Sequence, residues 1–343
     1  MSAALRTRAL RVGIAGLGRL GKRHAEQLAR RTQGAQLVSA CSPVATELTW
    51  ARDTLGVATL HEDFSAFVRD PQLDAIVLVT PTTLHAEQAV AALEAGKHVF
   101  IEKPLSLDVA TCERVEEVAR QRPELVAMVG FVRRFDASYA QARADIEAGA
   151  IGRPFLVRSQ TCDMNDPEGF FVRFAPSSGG IFMDCSVHDI DLARWMLGNP
   201  KATRAFASGT IVLHPGLAEC GDVDNGLAIV EFEGGTRAVF YASRTMAHGH
   251  ETTTEVIGTA GSLQVGMGAH RDRVQTRDAS GVRHRALGDF FERFGEAFQR
   301  EMEAFVAACH GAKPALTLSD ATEATRIGQA ITRSLKSGMP EMV

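Results

Sequence analysis

The chain has no run of about eighteen apolar residues, the length a helix needs to cross a bilayer. Its opening stretch, Met1–Arg11, carries basic residues without the apolar block of a secretion signal. Both absences point to a cytoplasmic protein. The six cysteines (Cys41, Cys112, Cys162, Cys185, Cys220 and Cys309) contain no Cys-x-x-Cys pair. That excludes a zinc ribbon or a dithiol redox motif and leaves reduced thiols packed as small hydrophobes. Excess positive charge is missing too: the formal net charge is −4, and clusters such as Arg133-Arg134 and Arg271-Asp272-Arg273 are short. A nucleic-acid partner is therefore not expected. Tryptophan and tyrosine are scarce, at two each beside eighteen phenylalanines. A site built from Lys, His, Asp and Arg with so little aromatic surface suits a polyhydroxylated ligand read by hydrogen bonds.

The rest is ordinary for a globular protein, with 45% hydrophobic and 23% charged residues. At 343 residues the chain exceeds one compact core and predicts two domains.

Leu10 to Ala15 reads as a strand that runs into Gly16-Leu17-Gly18-Arg19-Leu20-Gly21, after which the pattern turns helical. This is G-x-G-x-x-G between strand and helix, the context a dinucleotide site requires. Gly16 permits the turn, Gly18 lets a pyrophosphate approach the backbone, and Gly21 lets helix and strand pack closely. The next strand, Gln36–Cys41, is expected to end in the acid that binds an NAD ribose, but Ser42-Pro43 follows instead. With no acid at that point to repel a 2′-phosphate and no basic residue before Arg52 to bind one, NAD is expected and NADP stays admissible.

Further short apolar strands at Ala75–Val79 and His98–Ile101 alternate with helices, which predicts a parallel sheet covered on both faces. Ligands sit beyond the C-terminal strand ends of such sheets. Thr80-Pro81 with His85, and Glu102-Lys103-Pro104, lie at those ends. Lys103 is either an exposed loop lysine or a group where nicotinamide and substrate meet.

After Gly179-Gly180 a helical pattern places Asp184, His188 and Asp191 at i, i+4 and i+7, a titratable base between two carboxylates on one face. Asp191 reads as a supporting acid, and Arg134 as structural. Beyond Phe155 strands dominate, including Leu227–Phe232 and Arg237–Tyr241 around a Gly234-Gly235 hairpin turn. Helices are predicted over Phe290–Cys309 and Asp320–Leu335. His248-Gly249-His250, read as i, i+2 on a strand, would face one side, but no third metal ligand accompanies them.

Taken in order, Gly16-x-Gly18-x-x-Gly21, Glu102-Lys103-Pro104 and Asp184-x-x-x-His188 resemble the Gfo/Idh/MocA family of nicotinamide-dependent oxidoreductases over essentially the whole chain. Gly130-Phe131-Val132-Arg133-Arg134-Phe135-Asp136 and Gly179-Gly180…His188-Asp189-Ile190-Asp191 resemble its inositol dehydrogenase branch of polyol and sugar dehydrogenases. The resemblance implies an α/β protein: a doubly wound parallel Rossmann sheet in residues 1–130, then an α/β domain in 131–343 with an open, mainly antiparallel sheet for substrate and oligomer contacts. It implies cofactor contacts at Gly16, Gly18, Arg19, Leu20, Ser42, Thr80, Pro81, His85, Glu102 and Lys103. For catalysis it implies His188 as general base, Asp184 orienting it or binding a neighbouring hydroxyl, and Lys103 bonding the reacting oxygen. Arg133, Arg173 and His250 are substrate-binding candidates beside these three, with structural roles open for Arg173 and His250. Tyrosines are usual in the branch where this chain has His248 and His250. The expected activity is oxidation of a secondary hydroxyl of a cyclic polyol or sugar by a homodimer or homotetramer. A non-catalytic NAD(P)- or sugar-responsive regulator, an NADPH-dependent reductase and an NAD-dependent glycosidase are the alternatives.

Overall fold

Short apolar runs and the turns between them build two compact units in the computed structural model, which describes residues 8–266 and 270–343 except for the Arg273 side chain. Most of the Met1–Arg11 stretch, and the Arg273 side chain of the basic cluster, lie outside the described residues. One unit holds the residues up to Val132 together with Phe298–Thr322; the other holds Arg133–Ala297 with Glu323–Val343.

The first unit is a six-stranded parallel sheet: β1 (Leu10–Ala15), β2 (Ala35–Cys41), β3 (Thr59–His61), β4 (Ala75–Leu78), β5 (His98–Glu102) and β6 (Ala127–Gly130). Their spatial order is β3-β2-β1-β4-β5-β6. The crossovers carry α1 (Arg19–Arg30), α2 (Ala45–Leu55), α3 (Phe64–Val68), α4 (Thr82–Glu94) and α5 (Val109–Arg120). Val12, Ile14, Ile76, Val77, Val99 and Phe100 are fully buried, as strands covered on both faces must be. Asp63 and Asp108 start α3 and α5 by accepting the Ala66 and Thr111 N–H groups. The order reverses between β1 and β4, which is where such a sheet opens a ligand crevice.

The second unit contains β7 (Pro154–Met164), β8 (Ala202–Thr210), β9 (Asn225–Phe232), β10 (Arg237–Met246), β11 (Glu251–Gly258), β12 (Gly261–Val265) and β15 (Glu341–Met342) in one sheet. The order is β12-β11-β7-β10-β9-β8-β15, with β7 and β10 parallel and the other pairs antiparallel. A separate hairpin pairs β13 (His270–Asp278) with β14 (Gly281–Ala286). The helices are α6 (Ala137–Glu147), α7 (Phe170–Ser178), α8 (Ile181–Asp184), α9 (Val187–Met196), α10 (Phe290–Cys309) and α11 (Leu318–Ser337). Burial alternates along β9 and β10, so Ala228, Val230, Ala238 and Phe240 enter the core while Leu227 and Ile229 stay exposed with Phe206 of β8.

The second half of α10 packs in the first unit, where Phe305 meets Phe100 and Phe298 meets His24 edge-on. All six cysteines are free; Cys41, Cys112, Cys162 and Cys185 are buried. Burial pushes the Cys41, Cys162 and Cys309 thiols up to about 12. Among the described residues no helix is long and apolar enough to cross a membrane, and no cluster of three or more His, Cys, Asp or Glu side chains forms a metal site.

Candidate active site

The turn after β1 has the shape a pyrophosphate needs. Gly16 has φ +88°, and a Cβ there would lie 2.4 Å from the Val79 carbonyl oxygen. A Cβ on Gly21 would lie 2.0 Å from the Gly16 oxygen, whereas one on Gly18 would meet nothing within 4 Å. The helix α1 starts at Arg19 with Gly18 as a cap that offers no side chain, so its first N–H groups meet the space that Gly18 leaves open. Arg19 is exposed and Leu20 half-buried beside it. These residues fit the diphosphate of a dinucleotide.

At the end of β2, Ser42 is buried; its Oγ donates to Glu47 Oε2 at 2.5 Å and accepts from Val44 N at 3.1 Å. Beyond β4, the Thr80 hydroxyl donates to Gln88 Oε1 at 2.6 Å, and exposed Pro81 caps α4.

Two expected cofactor contacts take different places. His85 is buried, with Nδ1 2.8 Å from the Pro104 oxygen and Nε2 2.8 Å from the Thr80 oxygen. It braces the loops after β4 and β5 against each other rather than presenting itself to a ligand. Two carbonyl neighbours favour a protonated ring, but burial opposes the charge more strongly and holds the His85 pKa below its ordinary value.

Glu102 is also buried: Oε1 lies 2.6 Å from His24 Nε2, and Oε2 accepts from Lys103 N at 3.1 Å. Its carboxylate faces inward and fixes the backbone of Lys103. His24 Nδ1 is buried with no hydrogen-bond partner among the described residues, so the ring meets Glu102 through Nε2. A Cβ on Gly130 would press within 3.2 Å of Glu102 Oε2, so β6 ends in the residue that leaves room. Glu301 of α10 is fully buried with neither oxygen hydrogen-bonded. Burial first, and the nearby Glu102 charge second, raise its pKa well above the ordinary carboxylate range. Lys103 itself is half-buried at the strand end, and its bond to Pro104 is cis.

In the second unit the Gly179-Gly180 pair leads into α8, which ends at Asp184; Cys185 and Ser186 separate it from α9. Both linking residues keep right-handed helical angles, so the i, i+4 relation of Asp184 and His188 is preserved across the break. From Ile181 to Arg194 every residue is buried except Asp184 and His188, which are half-buried. Asp191 therefore does not share their access. It receives Arg134 in a fork, Nε to Oδ2 at 2.8 Å and Nη2 to Oδ1 at 2.6 Å.

Arg133, expected to reach substrate, is buried instead: Nη1 donates to Asp189 Oδ1 at 2.8 Å and Nη2 to Thr161 Oγ1 at 2.6 Å. Its charge offsets that of Asp189, which no solvent reaches, so it positions α9. Arg173 lies in α7; it is exposed and donates to the Glu168 carbonyl oxygen at 2.5 Å. The two histidines do not lie on a strand. They precede β11, and Gly249 between them has φ +125°, where a Cβ would meet the Leu287 oxygen at 2.1 Å. His248 points to solvent and pairs with Glu251, while His250 is buried with Nδ1 2.9 Å from Asp163 Oδ1. The i, i+2 rule fails because the backbone is not extended there.

Sequence reading missed Arg244 and Asp222. Arg244, fully buried on β10, donates through Nη1 to Asp222 Oδ2 at 2.9 Å and through Nη2 to Asp184 Oδ2 at 3.3 Å. Burial opposes the cation, yet Cys185, Asp184 and Asp222 outweigh it and raise the Arg244 pKa. Asp222 Oδ1 also accepts from Ile181 N at 2.9 Å, which fixes the start of α8. A signal was present: Ala238, Phe240, Ala242 and Arg244 share one face of a strand at period two, so the arginine continues a buried row.

Known proteins resemble this chain along nearly its whole length. The family model described as "Oxidoreductase family, NAD-binding Rossmann fold" matches residues 10–131, and the "GFO/IDH/MocA C-terminal domain" matches residues 139–264. The chain is 38% identical to scyllo-inositol 2-dehydrogenase (NAD(+)) of Bacillus subtilis over 96% of this chain and 95% of that protein. It is 31% identical to myo-inositol 2-dehydrogenase of Thermotoga maritima over 95% and 96%. The crystal structure of scyllo-inositol dehydrogenase from Lactobacillus casei with bound NAD(H) and scyllo-inositol superposes with a TM-score of 0.93 at 37% identity, covering 97% of this chain and 99% of that one. The chain belongs to the GFO/IDH/MocA family of oxidoreductases, and its cofactor is NAD.

Proposed function

We propose that this protein oxidises a secondary ring hydroxyl of an inositol to the ketone, in the cytoplasm, as a homodimer or homotetramer. In this reading residues 1–130 hold the dinucleotide, and residues 131–343 hold the polyol and the oligomer contacts. The observation that carries the chemistry is the selective access of Asp184 and His188 on an otherwise buried segment. The substrate class rests on the inositol dehydrogenases to which the chain is similar along nearly its whole length. Oligomer formation is supported by the exposed apolar row Phe206, Leu227 and Ile229 on neighbouring strands.

Bound NAD supplies the hydride acceptor. His188 takes the hydroxyl proton, a task suited to a side chain that titrates near neutrality. Asp184, held by Arg244, orients the imidazole or accepts a neighbouring ring hydroxyl. Lys103 donates to the reacting oxygen and favours its alkoxide character until the ketone forms. His250 beside Asp163, and Arg173, are candidate readers of the remaining hydroxyls.

The test is the reduced-nicotinamide absorbance with scyllo-inositol, myo-inositol and aldoses, each with NAD⁺ and NADP⁺. An inositol is expected to be oxidised with NAD⁺. His188→Ala and Lys103→Ala are each expected to lower kcat by about 10²–10⁴-fold, with NADH affinity retained by calorimetry. Near-normal turnover in either variant would remove that residue from the mechanism. No reduction with any polyol would favour a non-catalytic regulator.

A further inference from the structure

We infer that Glu47 is the residue that selects NAD over NADP, acting from the first turn of α2 through its hydrogen bond with Ser42. Dinucleotide sites of this architecture place an acid just beyond the strand next to β1, where it accepts the ribose hydroxyls and repels a 2′-phosphate. In this chain that strand is β2, and the residue after it is Ser42. The serine does not replace the acid as a ribose ligand. Its hydroxyl proton goes to Glu47 Oε2 at 2.5 Å, and its oxygen accepts the Val44 N–H at 3.1 Å. Ser42 is buried, whereas Glu47 is half-buried and reachable. The serine thus acts as a strut that turns a helix carboxylate back over the strand end. A carboxylate with one proton donor attached still has lone pairs for a ribose diol.

Two cations of the neighbourhood are engaged by other groups. Arg52 pairs with Asp53 at 2.8 Å, and Lys22 of α1 lies over the Trp50 ring at 5.2 Å from its centroid. A 2′-phosphate beyond the end of β2 would face the Glu47 carboxylate, and like charges brought together without compensation disfavour binding.

Isothermal titration of NADH and NADPH into the protein, with no substrate present, tests the assignment. Wild type is expected to bind NADH at least tenfold more tightly than NADPH. Glu47→Gln, which keeps the shape and removes the charge, is expected to weaken NADH and tighten NADPH so that the ratio of their dissociation constants falls at least tenfold. Ser42→Ala is expected to move the ratio the same way by a smaller factor, because the carboxylate stays but its strut is gone. Glu94→Gln, an equal change of net charge at the opposite end of α4 from Pro81, is expected to leave the ratio within twofold. Glu47→Asp retains the charge on a shorter stem and is the second variant should Glu47→Gln not fold; it is expected to weaken NADH at least threefold while NADPH stays excluded. Equal affinity of wild type for the two cofactors, or a ratio unchanged within twofold in Glu47→Gln, would overturn the inference, as would an equal shift in Glu94→Gln. If Glu47→Gln does not fold, unchanged NADH affinity in Glu47→Asp would overturn it.

Discussion

The two units bury charge in different ways. In the second, three of the four buried arginines meet aspartate: Arg133 meets Asp189, Arg134 meets Asp191, and Arg244 meets Asp222 and Asp184. In the first, the buried polar groups around Glu102 are His24 and Glu301, a histidine and a second acid. Matched arginine–aspartate pairs of this kind anchor α8 and α9 by charge-assisted hydrogen bonds. Glu301 instead has its pKa raised by burial and by the Glu102 charge, so its contribution to stability follows pH.

The largest expected effect comes from breaking a matched pair. Asp189→Ala leaves the Arg133 guanidinium buried without its carboxylate, and removing one partner of a buried pair costs about 3–5 kcal/mol. Urea unfolding should show that loss at pH 6 and at pH 8 alike; a loss that varied steeply with pH would erase the contrast between the units.

A smaller effect of opposite sign is expected for Glu301→Gln. The folded-state pKa of Glu301 lies above the ordinary 4.5, so the folded chain keeps a proton that the unfolded chain releases. Its stabilising effect is complete below pH 4.5 and lost as pH rises towards the folded value. An amide has no proton to lose, and neither oxygen of Glu301 has a hydrogen bond to give up. Thermal unfolding at pH 8 should rise by about 2–4 °C, with little change at pH 4.5.

His85 gives the smallest effect and the reverse slope. Its folded-state pKa lies below the ordinary 6.5, so stability is intact above pH 6.5 and declines as pH falls, because the unfolded chain then binds a proton that the folded one refuses. His85→Gln should flatten that decline in unfolding curves taken between pH 7 and pH 5.5, whatever it does to absolute stability.

Much of this arrangement was legible in the sequence because it is local. Apolar runs gave β4 and β5 their burial on both faces, Gly16 and Gly21 marked a turn that tolerates no side chain, and helical spacing put His188 one turn past Asp184. What stayed hidden depends on partners far along the chain. Arg133 looks like a free cation, and Arg134 has no visible partner, until α9 brings Asp189 and Asp191, 56 and 57 residues later, against them. The second half of α10 returns to pack on Phe100, a choice no local pattern encodes. Glu47 escaped notice because the acid was sought at the end of the strand, and it comes from the following helix.

The cysteines carry a practical consequence for handling. A thiol whose proton leaves only near pH 12 is a poor nucleophile at neutral pH, and Cys41, Cys162 and Cys309 are of that kind. Cys112 and Cys185 are shielded by burial, which leaves half-exposed Cys220 as the natural attachment point for a maleimide dye. A single-colour reporter of ligand binding can therefore be attached to the natural sequence, without first removing the other five thiols.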